Sequence, residues 1–211
     1  FMDAHGPVHH VRGYDRSLHD APLSWTARTV DLQRVVEERD EETLGWYRGL
    51  YGTAIDYLDR RVVAFADRLQ AATDRETTVV VTADHGNDLA LTDERHWGHT
   101  KSRLTEALLH VPLAVLNAPE GVEARHGGYV SHLRLPDLVV GLANDEVPDV
   151  VEDRIRAERI GYSGPPATLD DDLSAEEDST LRALYEDEGD RKTVWNHRGD
   201  GWRYHLDPDR P

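Results

Sequence analysis

The stretch TTVVVTADHGNDLA (77–90) runs through apolar β-branched residues and then stops on Asp84, His85 and Gly86. A carboxylate beside an imidazole offers oxygen and nitrogen donors suited to a hard-to-borderline divalent cation. Glycine lets the backbone turn sharply or approach another group closely. In open α/β sheets ligands lie beyond the carboxyl ends of the strands, so Asp84 and His85 are candidate metal ligands. The plainer reading is a strand end with a solvated Asp and a His packed at the sheet edge. Downstream, ERHWGHTKSRLTEALLHVPLAV (94–115) holds Lys101, and the only other lysine is Lys192. The loop around Lys101 must return near the same strand ends, because its flanking strands are neighbours in sequence. An ammonium there could pair with an anionic ester oxygen. His99 reads as a ligand, a proton donor or a surface residue, and His96 as a surface residue.

The elements that must position these groups follow from periodicity. Leu50, Ala54, Leu58, Val62, Phe65 and Leu69 recur at three- and four-residue steps, which predicts a helix over 45–72 with one apolar face. A charged, weakly helical stretch covers 26–42. Residues 77–82 and VPLAVL (111–116) read as strands buried on both faces, as in a parallel sheet. A short helical piece lies between them. SHLRLPDLVVGLA (131–143) predicts a helix with Ser131 as a possible cap and Pro136 tolerated near its start. Helices alternating with buried strands make the chain α/β, with a mostly parallel sheet. Residues 1–4 should close a strand, and 5–24 are loop, with four His, two Gly and two Pro. The domain reading places an α/β domain at 1–150, an acidic linker or helical segment at 151–190, and a small β-hairpin region at 191–211. KTVWNHRGDGWRYHL (192–206) supplies that hairpin, turning at RGDG.

Composition sets the limits. The formal net charge is −17, from 24 Lys+Arg against 41 Asp+Glu, and nearly all the cations are Arg. Such a surface repels phosphate backbones, which argues against nucleic-acid binding. Acidic excess with scarce lysine resembles halophilic proteins, and a merely acidic mesophilic protein is the alternative. The halophilic reading predicts a clearly higher thermal unfolding midpoint in molar KCl than in dilute buffer, because screening relieves carboxylate repulsion. An unchanged or lower midpoint would count against it. It also places the protein in the cytoplasm of a haloarchaeal-type cell, with an extracellular location left open. No apolar run reaches the roughly 20 residues of a membrane span. Zero Cys excludes disulfides, thiolate ligands and a Cys nucleophile within these residues.

TTVVVTADHGNDLAL followed by WGHTKSRLTEALLHVPLAV resembles the sulfatase family of the alkaline-phosphatase-like superfamily. That family has a strand ending in Ser/Ala-Asp-His/Asn-Gly, then a Gly-Lys or Gly-His loop, then Tyr-Glu-Glu-x-x-Arg-Val-Pro-Leu-Ile-Val. Here Thr105 replaces the Tyr and His110 the Arg. FMDAHGP, LYGTAIDYLDRRVVAFADRL, YVSHLRLPDLVVGLANDEVP and WRYHLDPDRP resemble further family segments in the family's order, with Arg134 and Asp137 as departures. The resemblance implies an alkaline-phosphatase-like α/β fold with a small C-terminal antiparallel β/α subdomain.

It further implies metal-dependent hydrolysis of a small-molecule or glycan sulfate ester, or of a phosphate ester. Asp84 and His85 would bind a divalent cation, Ca2+ foremost, with Mg2+, Mn2+ and Zn2+ as alternatives. Lys101 would contact the sulfate, with His99 nearby in the Gly-His variant. His5 would contact the ester or protonate the leaving group, since an imidazole titrates near neutral pH. The family's further acidic ligands and its formylglycine motif, Cys/Ser-x-Pro-x-Arg, do not occur here. The chain is therefore expected to be the C-terminal half of such a domain, able to associate with an N-terminal half and inactive without it. The rival readings are a phosphodiesterase, phosphonate hydrolase or phosphoglycerol-type transferase of the same superfamily, and a non-catalytic truncated domain. His9, His10, His126, His132 and Ser102 read as loop, surface or cap residues.

Overall fold

The computed structural model describes residues 4–5, 8, 20–23, 25, 32–90, 97–99, 104–120, 122, 129–146, 148–160, 180–186, 190–196 and 198–206. The chain forms two compact units, Phe1–Thr77 with Asn87–Ser102, and Thr78–Gly86 with Arg103–Pro211.

The first unit is built on helices α1 (Leu32–Glu38) and α2 (Glu41–Ala71). Asp40 starts α2: its carboxylate accepts from the Thr43 amide at 3.1 Å and from the Thr43 hydroxyl at 2.7 Å. Glu41 and Glu42 then place negative charge against the positive end of the helix dipole. The hydrogen bonds from Thr43 hold the Asp40 carboxyl below its ordinary range. Leu50, fully buried, packs with Val8, Ala21, Trp25 and Tyr47, and Trp25 meets Trp46 edge to face at 6.0 Å.

The predicted apolar face is only half realised. Leu50 and Ala54 are buried, whereas Phe65 is 52% and Leu69 36% exposed. Leu58 and Val62 are half-buried, and in the distal part of the helix Ala66 is buried while the larger Phe65 and Leu69 are not. Two short strands, β2 (Asp88–Leu89) and β3 (Trp97–Gly98), pair antiparallel in this unit. Arg48 fixes β2 to α2 by donating to the carbonyls of Leu89 and Ala90, and Asn87 donates to the Tyr47 hydroxyl at 3.1 Å.

The second unit holds β1 (Val79–Thr82), α3 (Glu106–Leu109), β4 (Leu113–Leu116), β5 (Tyr129–Val130) and α4 (Leu135–Ala143). It continues with β6 (Val151–Glu152), β7 (Ile155–Arg159), β8 (Leu181–Glu186), β9 (Arg191–Asn196) and β10 (Gly201–His205). A short 3-10 turn, His132–Arg134, precedes α4, and Ser131 accepts from the Leu133 amide at 3.3 Å. The predicted cap is therefore in place.

The parallel sheet expected from the two apolar runs is not what the described residues form. β1 pairs with β4 antiparallel, in register Val79↔Leu116 to Thr82↔Leu113, and every other described strand pair is antiparallel too. Parallel pairing needs a connection that carries the chain back to the strand's starting end. Here Gly86 donates to the Leu108 carbonyl at 2.9 Å, so α3 lies beside the carboxyl end of β1, and β4, which follows α3, starts at that end and runs back. Thr82 donates to the Pro112 carbonyl and Thr78 to that of Asn117, each at 2.9 Å, closing both ends of the pair. Leu138 and Leu142 of α4, with Val150, pack on Val80, Leu113 and Val115, giving a helix-on-sheet layer.

The remaining strands form one antiparallel sheet in the order β10-β9-β8-β7. β6, β7 and β8 lie within 151–190, where the sequence suggested a linker or helical segment. Alternate residues Leu181, Ala183 and Tyr185 of β8, with Val194 of β9, face Leu104 and Leu109. Gly199, at φ +90°, sits in the turn joining β9 to β10. That left-handed conformation suits glycine.

Candidate functional site

The chain leaves β1 through Ala83 into Asp84, whose side chain is 89% exposed. The Asp84 Oδ1 accepts from the His85 amide at 2.9 Å. The His85 Nδ1 lies 2.8 Å from the Gly86 carbonyl oxygen. A carbonyl only accepts, so Nδ1 carries the hydrogen, and the neutral form of the ring has its lone pair at Nε2. That Nε2 stands 3.8 Å from Asp84 Oδ2. At that separation the nitrogen and the carboxylate oxygen lie close enough to serve one cation or to share a proton. A metal-binding imidazole commonly has its other nitrogen fixed by a carbonyl in this way.

Gly86 is what brings the pair to that position. A Cβ at residue 86 would lie 1.9 Å from the Ala107 carbonyl oxygen, inside van der Waals contact with backbone. Only glycine allows β1's exit to lie against α3. The glycine after the Asp-His pair thus serves a close approach between two backbones, one of the roles that the sequence raised for it.

His5 and His99 belong to the other unit, and the fold brings their rings together edge to face with centroids 5.1 Å apart. His99 directly follows β3, whose pairing (Asp88↔Gly98, Leu89↔Trp97) sets its place, and Gly98 adopts φ +77°. His5 is exposed and His99 half-buried. Lys101, His96, His9, His10, His126 and Ser102 lie outside the described residues. His132 is exposed at the start of the 3-10 turn.

No cluster of three or more His, Cys, Asp or Glu occurs among the described residues. At the end of β1, Asp84 and His85 supply one carboxylate and one imidazole. Among those residues, too, no helix is long and apolar enough to cross a membrane.

Sequence reasoning passed over one cluster. Lys192 of β9, only 3% exposed, donates to the Leu104 carbonyl and to Glu106 Oε1, the latter at 2.6 Å. The Tyr185 hydroxyl donates to the same Glu106 oxygen at 2.6 Å. Burial, and then the nearby Glu106 carboxylate, push the Tyr185 hydroxyl far up, so it remains a donor. The available signal was the scarcity of lysine in a chain that places one inside a strand.

The family model described as Sulfatase matches residues 3–145, more than half of the chain. No curated protein and no solved structure matches it.

Proposed function

The chain belongs to the sulfatase family, and on that premise we propose that it serves metal-dependent hydrolysis of sulfate esters. The observation that carries this reading is the Asp84–His85 pair at the end of β1, with Nε2 and Oδ2 3.8 Å apart. One carboxylate and one imidazole of fixed tautomer fit a divalent cation, Ca2+ first, with Mg2+, Mn2+ and Zn2+ as alternatives. When bound, such an ion supplies Lewis-acid polarisation of an ester oxygen. Two protein donors hold it weakly, so further carboxylates complete the set in this proposal.

The other roles belong to this chain's own side chains. Lys101 neutralises charge on the sulfuryl group. His5 holds the proton that the leaving alkoxide takes, and His99, ring to ring with it, orients that imidazole. A nucleophile divides ester cleavage into two easier steps. No serine here has the Cys/Ser-x-Pro-x-Arg setting, so the proposal assigns the nucleophile to a segment outside these residues. The mostly parallel sheet expected of the family is likewise part of the proposal, with β1 and β4 as its antiparallel pair.

The test compares residues 1–211 with a form that adds a nucleophile-bearing segment. Hydrolysis of an aryl sulfate, an aryl phosphodiester and an aryl phosphonate is followed with and without chelator. The extended form should favour the sulfate and lose activity with chelator, while 1–211 alone should give none. Robust hydrolysis by 1–211 that disappears in Ser102→Ala would overturn the assignment of roles. A preference for the phosphodiester or phosphonate would overturn the sulfate reading.

A further inference from the structure

The structure assigns Lys192 and Tyr185 a positioning role: through Glu106 and α3 they set the place of Gly86, and so the orientation of His85 towards Asp84. The inference rests on the reading of Asp84 and His85 as a metal-binding pair. Its structural half can be tested without that reading.

The route is contiguous and lies within one unit. Lys192 on β9 and Tyr185 on β8 both donate to Glu106 Oε1, and Lys192 also donates to the Leu104 carbonyl. The ammonium lies 5.1 Å from the centroid of the Tyr185 ring. Glu106 is the first residue of α3, which has four residues. A helix of one turn has no stability of its own, so α3 takes its place from what holds it. Leu104, Leu108 and Leu109 give it an apolar seat, with Leu104 and Leu109 against the four-stranded sheet. Apolar contact is non-directional, whereas the bonds to Glu106 fix the rotation of the turn.

From α3 the constraint passes to the metal pair by backbone alone. The Leu108 carbonyl accepts from the Gly86 amide at 2.9 Å, and the Ala107 carbonyl occupies the space of an absent Cβ. The Gly86 carbonyl accepts from His85 Nδ1. Moving α3 therefore moves the acceptor that keeps the His85 lone pair at Nε2.

Burying an ammonium is costly unless it is paired, and an apolar replacement of similar volume is often neutral or stabilising. Stability alone would be served as well by methionine at 192. A lysine there supplies direction.

The experiment uses residues 1–211 and compares the wild type with Lys192→Met, Tyr185→Phe and Arg182→Met. Arg182→Met is the control, because it removes an exposed ion pair with Glu158 on the same sheet and has no link to α3. The His85 ring nitrogens are observed by 15N NMR at a pH well above the ordinary imidazole range. Mn2+ is then titrated while broadening of the same ring is followed.

The wild type and Arg182→Met should show the Nδ1–H tautomer. Lys192→Met should show a mixture moving towards Nε2–H, and the Mn2+ concentration for half-broadening should rise about tenfold, as for other partners one step removed from a metal. Tyr185→Phe should shift the tautomer in the same direction by less. It deletes one hydroxyl and so decides the matter if Lys192→Met does not fold. An unchanged tautomer in folded Lys192→Met, or in Tyr185→Phe where the other does not fold, overturns the positioning role, even if Mn2+ still broadens His85. Tautomer shifts as expected, with no Mn2+ broadening in any form, support the positioning role and overturn the metal reading alone.

Discussion

Gly86→Ala is expected to lower the unfolding free energy by about 3 kcal/mol, at the upper end of overpacking costs, and to release His85 from its single tautomer. The added methyl would lie 1.9 Å from the Ala107 carbonyl oxygen, 3.0 Å from its carbonyl carbon and 3.3 Å from Leu108 Cα. All three are backbone atoms, so no side chain can swing aside to make room. Either α3 lifts from the strand exit, breaking the Gly86–Leu108 hydrogen bond, or β1 slips against β4. Urea unfolding gives the first effect and the 15N spectrum of the His85 ring the second. An alanine variant with wild-type stability and an unaltered His85 ring would show that the two backbones are not held together.

Lys101→Ala, in a form of the domain that turns over sulfate esters, is expected to lower kcat/KM by about 10²–10³, the usual effect of losing one well-placed charge contact in a reacting site. The net charge of −17 sharpens this. In the proposed reaction an anionic ester would approach against a repulsive field, so a cation beside the sulfuryl oxygens would carry much of the attraction. Lys101→Arg should recover part of the loss, because charge is kept while the compact ammonium is replaced by a planar fork. Steady-state kinetics on an aryl sulfate decides it. An unchanged kcat/KM in the alanine variant would remove Lys101 from the site.

Much of this was legible in the sequence where periodicity and chemistry coincide. The three- and four-residue steps from Leu50 gave α2, and Asp40 with Glu41 and Glu42 explains why it begins earlier than the apolar pattern does. The turn at RGDG gave the β9–β10 hairpin, where Asn196 Oδ1 accepts from the Arg198 and Asp200 amides. Strand direction was not legible. A run such as VVVT fixes that residues are apolar, and the same run serves a parallel strand or a short antiparallel pair covered by α4 on one face. Nor was β8: Leu181, Ala183 and Tyr185 are its buried alternate residues, but Leu184 between them breaks the polar alternation that marks a half-buried strand in sequence. Its acidic neighbours drew attention to charge instead.

That Asp84 and His85 follow directly on a strand was legible, because the apolar run ends just before them. What clamps that strand end was not, since the clamp is a backbone contact to Ala107 and a buried lysine far along the chain. Neither leaves a local pattern. The meeting of His5 with His99 lies between these cases: each was singled out by type, and only the fold shows them as neighbours.

The interleaving of the two units has a consequence for synthesis. The chain enters the second unit at Thr78, leaves it at Gly86 and returns at Arg103. The residues assigned to the first unit end at Ser102 and emerge from the ribosome ahead of β4, whereas β1 waits for β4 and Gly86 waits for α3. Glu106 waits longer still, for Lys192. Such sequence-distant pairings are slow to form, because the intervening chain must be closed before any contact rewards it. Until then the Val79–Val81 edge stays unpaired, the kind of strand that associates with its own copies, and the surrounding excess of carboxylates keeps nascent chains apart. The Asp-His pair is therefore among the last features to be ordered, so an unfinished chain offers a passing cation no organised pair of donors.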